Sequence, residues 1–396
     1  MERKIRLGII GIGNMGTGHI KNIEGGKCPE IVFAAAADTN PAKEQWIKDN
    51  VSHPVPFFHT AEEMMDSGLV DAVIVATPHY GHPVYAIMAM KKGLPVVIEK
   101  PAGVYTKHVK EMIAVADETK VPLAIMMNQR TSSIYRKMRE IVQSGEMGAI
   151  KRTSWIVTDW YRTQAYYDSG DWRATWSGEG GGVLMNQCPH QLDLWQWICG
   201  MPKTVSANMY FGKWHDIEVE DDVTVFVEYE NGATGTFITT TGDCPGSNRF
   251  EITLEKGKLI AENHKLLQWI SEESEPEWNK KASGFEKFPL EFREVDTKNT
   301  DESMANIVDK AHSGVLNAFA AHILRGEPLV ADGREGINGL SISNACHLSA
   351  WTGKKVSLPL DDEEYYNELM KHVAVSRRKE VPMGTGVADL SDTYNS

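Results

Sequence analysis

Two residues of this chain have side chains and settings suited to moving a proton, Lys100 and His190. Lys100 lies in PVVIEKPAG, residues 95–103, where a short β-branched run ends abruptly in a charged pair and a proline. A lysine at the C-terminal tip of a buried parallel strand faces the crevice where such sheets take their ligands. Pro101 narrows the backbone freedom of Lys100 toward extended conformations. An ordinary ion pair at a strand end would also explain Glu99 and Lys100 taken alone. His190 stands in GGGVLMNQCPHQLD, residues 180–193, and an imidazole exchanges a proton near neutral pH without large tuning. Val183 to about Cys199 reads as one helix, on which Asn186, His190 and Asp193 at i, i+4 and i+7 share a face. Such a polar stripe can build a site, although a helix histidine is also a common structural residue. That helix carries no second histidine or cysteine at ligand spacing, and the His79/His82 pair has no third ligand nearby, so no metal centre is expected.

The elements that carry Lys100 begin at the N-terminus. Ile5–Ile10 is an apolar run that flows into Gly11-Ile12-Gly13-Asn14-Met15-Gly16 and then a helix-compatible stretch ending near Gly25-Gly26. This is GxGxxG between a strand and a helix: Gly11 for the tight turn, Gly13 for close approach of a pyrophosphate, Gly16 for helix–strand packing. A second strand, Ile31–Ala37, ends at Asp38, about 20 residues on, where an acid meets the adenosine ribose hydroxyls. That acid disfavours the extra phosphate of NADP, and no arginine adjoins it, so NAD is the expected cofactor. Thr60-Ala61-Glu62-Glu63 has the spacing of a capping box. Strand 71–76 ends in Thr77-Pro78-His79 at the same sheet edge as Lys100, and His82-Pro83 begins the next helix. Further helix from Thr106 and strand 122–127 complete an alternation that implies a doubly wound parallel sheet. Residues 1–127 are therefore expected to form a dinucleotide-binding domain.

After a helix over 132–144 closed by Gly145, the texture changes to successive strands: 151–160, 204–211, 224–229, 234–241, 249–254 and 259 onward. A large, open, mostly antiparallel sheet is expected, with helices on one face and the other free for a partner subunit. Between the first two strands lies an insert rich in aromatics and glycine, Tyr161 to Gly182, including Tyr166, Tyr167, Trp172, Arg173 and Trp176. Its aromatic faces and arginine suit a polyhydroxylated ligand, or else anchor the loop to the core. Helices are read over 307–324, 336–351 and 361–378, solvated connections over 272–279 and 296–303, and a polar tail from Lys379. Residues 128–396 make the second unit of the α/β chain.

At 396 residues and 42% apolar content the chain is long enough for two packed domains. A formal net charge of −13 argues against general nucleic-acid or anionic-membrane binding. No apolar stretch reaches spanning length, the N-terminus lacks an h-region, and the five cysteines show no framework. A cytoplasmic setting with reduced thiols is expected.

Taken together, the GIGNMG turn, TPHYGHP, EKPAG and GGGVLMNQCPHQLD resemble, in order and spacing up to about residue 355, the Gfo/Idh/MocA family of NAD(P)-dependent oxidoreductases. The resemblance implies a Rossmann domain followed by an open α/β domain whose sheet mediates homodimers or homotetramers. It implies cofactor contacts from Gly11, Gly13, Asn14, Met15, Asp38, Thr77, Pro78, His82, Glu99 and Lys100. It also implies that Lys100 hydrogen-bonds a reacting hydroxyl, that His190 takes its proton, and that the hydride passes to nicotinamide. Many sugar and inositol dehydrogenases of the family carry aspartate where this chain has Asn186, and an amide cannot share a proton as a carboxylate does. Trp172 and Arg173 are the expected substrate contacts, and Asp193 is either another or a residue that supports the contacts from behind. The activity so implied is oxidation of a secondary hydroxyl of a sugar, sugar derivative or cyclitol. Two alternatives stand beside it: glycoside cleavage through transient C3 oxidation and elimination with retained NAD, and a ligand-sensing regulatory protein on the same fold.

Overall fold

The computed structural model describes residues 3–298 and 302–377, and the tail read from Lys379 lies outside them. Six β-branched and alanine-rich runs build the first sheet: β1 (Ile5–Ile10), β2 (Ile31–Ala37), β3 (Phe57–Phe58), β4 (Ala72–Val75), β5 (Val96–Ile98) and β6 (Leu123–Ile125). All pairs are parallel, in the order β3-β2-β1-β4-β5-β6. The central strands are buried on both faces, which is why they read as continuous apolar runs rather than alternations. The chain leaves β1 toward β2 and re-enters on the other side at β4. The crevice between the β1 and β4 tips is therefore the topological switch point where open α/β sheets take ligands. Of the capping box expected at Thr60, one half is formed: its Oγ1 accepts from the Glu63 amide at 3.2 Å and opens helix Ala61–Asp66.

The second sheet has nine strands: β7 (Ile150–Val157), β8 (Thr204–Phe211), β9 (Glu220–Glu228), β10 (Thr234–Thr240), β11 (Asn248–Leu254), β12 (Gly257–Glu262), β13 (Lys265–Ile270), β14 (Glu291–Glu294) and β15 (Val356–Ser357). Their order is β14-β13-β12-β11-β7-β10-β9-β8-β15, antiparallel except where β7 runs parallel to β10. The Asn231-Gly232 turn joins β9 to β10, with Gly232 at φ +82° and the Asn231 side chain accepting from Ala233 N at 3.0 Å. Inward residues pack a ring-rich core in which Trp155 stacks on Phe250 with centroids 4.2 Å apart and Trp195 on Phe237 at 5.5 Å. Helices Ser133–Ser144, Pro189–Cys199 and Gly336–Thr352 cover that face, while Ile156, Phe226 and Tyr210 point outward and exposed.

Two expectations need correction. The helix read from Val183 starts at Pro189, because Gly180 at φ +80° and the glycine run before Val183 hold the chain in turns, and Pro189 takes the first helical position. Asn186 therefore stands before the helix. The stretch read as a connection over 272–279 contains helix Glu275–Lys281, with acids in its first turn and lysines in its last. Two helices of the second half also pack on the first. Helix Ala311–Arg325 returns to the first sheet and buries Val315, Leu316 and Phe319 against Ile5, Leu7 and Ile9. Helix Asp362–Val375 likewise buries Tyr365 and Leu369 in the core shared with Val104 and Val109.

Candidate active site

One cavity of about 630 Å³ runs from the switch point of the first sheet to the aromatic insert of the second half. Its outer end is the glycine turn. Gly11 sits at φ +91°, and a Cβ there would stand 2.6 Å from the Ala76 carbonyl oxygen, so the β1 and β4 tips meet only because the side chain is absent. A Cβ on Gly16 would lie 2.0 Å from the Gly11 oxygen, while one on Gly13 would meet nothing within 4 Å and point into open space. Helix Asn14–Glu24 begins at that opening and turns the positive end of its dipole toward it. Asp38 at the β2 tip is held by two amides, Ile12 N to Oδ2 at 2.6 Å and Asn40 N to Oδ1 at 2.8 Å. Each oxygen keeps acceptor capacity for a vicinal diol. A backbone cradle beside a helix N-terminus, with a fixed carboxylate at the adjoining strand tip, fits a dinucleotide.

Along the wall, Thr77 and Pro78 follow β4. The His82 ring nitrogens lie 2.7 Å from the Thr77 and Pro101 carbonyl oxygens, which braces the β4 and β5 tips. Burial lowers His82, and a neutral ring donates to only one of these oxygens. His79 bonds the Glu179 carbonyl oxygen through Nδ1 at 3.0 Å. Both rings of the HxxH pair are thus engaged in bridging loops.

The inner end holds the titratable groups. Burial is the largest single influence on the Glu99 carboxylate and works against it, but the 2.6 Å hydrogen bond with His19 and the charges of His19, His312 and Lys100 together outweigh it and keep the group at about 2. Lys100 is anchored by donation from Nζ to the Asn186 carbonyl oxygen at 2.8 Å. Burial lowers its pKa, the charges of Arg173 and Arg162 press in the same direction, and Glu99 and Glu179 oppose. His190, in the first turn of its helix, is buried with Nδ1 unbonded, and burial together with the Lys100 charge pushes it well below the usual histidine range. It is therefore neutral at pH 7 and able to accept a proton. The Asn186 amide donates through Nδ2 to the buried carboxyl of Glu179, whose other oxygen accepts from Ala174 N at 2.6 Å. Burial raises Glu179 above the ordinary carboxylate range.

Of the residues named from the sequence, Gly11, Gly13, Asn14, Met15, Asp38, Thr77, Pro78, His82, Glu99, Lys100, Trp172, Arg173, Asn186 and His190 all line this cavity. Asp193 is not among its lining residues. Its two oxygens grip Arg130, with Nε to Oδ2 and Nη2 to Oδ1 both at 2.7 Å, in a pair with each side chain 1% exposed. Burial works against the Arg130 charge, and Asp193 and Glu335 outweigh it, holding the guanidinium firmly ionised. The reason is local: with the helix starting at Pro189, Asn186 and Asp193 no longer share a stripe. Sequence reasoning missed Glu179, Arg162 and His312. A charged residue directly before a glycine run was a usable signal for Glu179. His312 lines the cavity from helix Ala311–Arg325, and burial lowers it to about 4. Nothing in its neighbourhood of sequence marks it.

With this geometry in place, the likeness to known proteins is specific. Residues 5–127 match an oxidoreductase family described by its NAD-binding Rossmann fold, and residues 135–260 match the GFO/IDH/MocA C-terminal domain. The rhizopine catabolism protein MocA of Rhizobium meliloti is 29% identical over 201 residues, which are 51% of this chain and 59% of MocA. Inositol 2-dehydrogenase of Rhizobium meliloti is 22% identical over 359 residues, 89% of this chain and 99% of that protein. The crystal structure of the WlbA dehydrogenase from Bordetella pertussis, in complex with NADH and UDP-GlcNAcA, superposes with a TM-score of 0.74 at 27% identity. It covers 91% of this chain and 100% of its own. Both halves of the chain match, and the chain is an NAD-binding member of the Gfo/Idh/MocA oxidoreductase family.

Proposed function

We propose that this chain is an NAD-dependent dehydrogenase that oxidises a secondary hydroxyl of a sugar, sugar derivative or cyclitol. The observation that supports it most directly is the meeting of Lys100, Asn186 and His190 at the inner end of a cavity whose outer end is the glycine cradle and Asp38. When bound, NAD supplies the hydride acceptor. Gly13 and the amides opening helix Asn14–Glu24 hold its pyrophosphate, and Asp38 takes the adenosine ribose hydroxyls. Lys100 hydrogen-bonds the reacting hydroxyl and offsets the negative charge that grows on its oxygen. Neutral His190 receives the hydroxyl proton. With Nδ2 of Asn186 committed to Glu179, its Oδ1 is the atom left to orient a second hydroxyl.

In this reading the outer face of the second sheet, with Ile156 and Phe226 exposed on it, joins copies of the chain into a homodimer or homotetramer. The five cysteines, none of them in a disulfide, suit a reducing, cytoplasmic setting. No helix among the described residues is long and apolar enough to cross a membrane.

The test is NAD reduction by purified protein against free hexoses, inositols, anhydrosugars and glycosides, with product masses followed in parallel. NADH formed with one compound, and lost in Lys100→Met, is the expected result. A glycoside consumed with no net NADH would replace this reading with oxidation followed by elimination.

A further inference from the structure

The insert after β7 lines the substrate end of the cavity with alternating rings and guanidinium groups. The Arg162 guanidinium carbon lies 5.5 Å from the Trp160 ring centroid and 5.2 Å from that of Tyr166. Arg173 lies 4.7 Å from Tyr166 and 4.7 Å from Trp172. All five side chains border the cavity. Rings engage guanidinium faces, but they leave the in-plane N–H groups, five on each arginine, in need of acceptors. The acceptors these arginines use are neutral: Arg162 Nη1 donates to the Tyr161 carbonyl oxygen at 2.8 Å and Arg173 Nη1 to the Tyr166 hydroxyl at 2.9 Å. Arg162 Nε is buried without a hydrogen-bond partner.

Lys100 stands close enough to feel both arginines, and Arg173 in turn acts on the Glu179 carboxyl. The buried carboxyls behind it are occupied, Glu179 by Ala174 N and Asn186, Glu99 by His19 and the Lys100 amide. Three cations therefore border the substrate space of a chain whose formal net charge is −13. A planar guanidinium whose faces are covered presents a fork matched to two oxygens of one oxyanion.

We propose that Arg162 and Arg173 bind an oxyanion carried by the substrate, a carboxylate or a phosphate, so that the compound oxidised is an acidic sugar or cyclitol derivative. This rests on the dehydrogenase reading, and the experiment separates the two. The NAD-loaded enzyme is offered matched pairs that differ in one anionic group: glucuronate with glucose, galacturonate with galactose, glucose 6-phosphate with glucose, and an inositol monophosphate with inositol. NADH formation and calorimetric binding are read in parallel. The acid of at least one pair is expected to be favoured by about 50-fold or more over its neutral partner, the size of a charge-assisted hydrogen bond or two. The preference falls as salt rises, and the carboxylate and phosphate arms identify which oxyanion is read. In Arg173→Gln or Arg162→Gln the ratio of acid to neutral collapses toward one, and Arg173→Lys, which keeps charge without the fork, lies between. Acids that bind tightly but yield no NADH would support the oxyanion site and remove the dehydrogenase reading. NADH from a neutral compound with its acid partner equal or worse would overturn the oxyanion site and leave the dehydrogenase. Silence of every acid in both readouts would also overturn it.

Discussion

Asp193→Asn is expected to damage folding far more than substrate binding. Both Asp193 oxygens bond Arg130 at 2.7 Å in surroundings that leave 1% of each side chain exposed. The third partner, Glu335, bonds Nη1 at 2.8 Å but is 41% exposed and therefore a weak counter-charge. An asparagine keeps one acceptor and turns an NH2 toward a guanidinium N–H, so one bond survives without the carboxylate's charge and the other becomes a donor facing a donor. Two charge-assisted bonds at about 1.5–3 kcal/mol each bracket the loss. The range for breaking a buried pair on one side, about 3–5 kcal/mol, falls within that bracket. Urea unfolding followed by tryptophan fluorescence reads the stability, and KM and kcat on the substrate found by the NAD-reduction screen read the site. Asp193→Leu combined with Arg130→Met is expected to cost less than the sum of the single changes by about 2 kcal/mol, since no lone charge remains. Unfolding within about 1 kcal/mol of the parent together with a KM raised more than about 10-fold would refute the argument and return Asp193 to the substrate.

Lys100→Met is expected to lower kcat by about 100-fold or more while NADH binding, read by fluorescence, changes only a few-fold. Against pH, His190 lies well below the usual histidine range, so kcat/KM should show no acid limb centred near 6.5. Lys100 is lowered from 10.5, so its charged form, which offsets the alkoxide, is lost earlier than in a free lysine, giving an alkaline limb below 10.5. A limb at 6.5 in the profile would count against this assignment. The glycine turn gives a paired test. Gly13→Leu, at φ −83° with open space around its Cβ, should unfold like the parent yet lose NADH affinity by about 100-fold. Gly11→Ala, at φ +91° and 2.6 Å from the Ala76 oxygen, should fail to fold stably.

The outer end of the site was legible because its information is local. β1 and β2 have the bounds read from their apolar runs, and the glycine turn and Asp38 follow from strand, turn and helix within one supersecondary unit. The Asn231-Gly232 turn and the Thr60 cap are equally local. The inner end depends on contacts distant in sequence. Arg130 meets Asp193 across 63 residues and Glu335 across 205. Helix periodicity from Val183 looked continuous because the turns after Gly182 also bury apolar side chains, and only the backbone at Gly180 and Pro189 shows where the helix begins. Helix Ala311–Arg325 was read as a helix, but no pattern within it says which sheet it covers. The alternating rings and guanidiniums were half visible: Trp172, Arg173 and Tyr166 stood out, while Arg162 did not until the fold brought it beside Tyr166.

The amide at position 186 changes meaning once its neighbours are known. Read alone, Asn186 offers an amide, which cannot share a proton as a carboxylate does. In the fold, Glu179 lies directly behind it and accepts from its Nδ2, so the carboxylate is moved back by one side chain rather than deleted. The turn that makes this possible is itself held by an acid. Glu220 accepts from Gly182 N at 2.8 Å and Leu184 N at 3.0 Å, with His347 Nε2 3.0 Å away, all in a fully buried setting. Lys100 is fixed in turn by the Asn186 carbonyl oxygen. Lys100 and Asn186 are thus each positioned by a bond made behind them, before any ligand arrives, as electrostatic stabilisation of a developing negative charge requires. Glu179, raised by burial, also stands close enough to Lys100 for its charge to favour the ammonium form. In the proposed mechanism the asparagine separates two duties that one aspartate would combine: Asn186 would orient the hydroxyl, and Glu179 would tune the lysine.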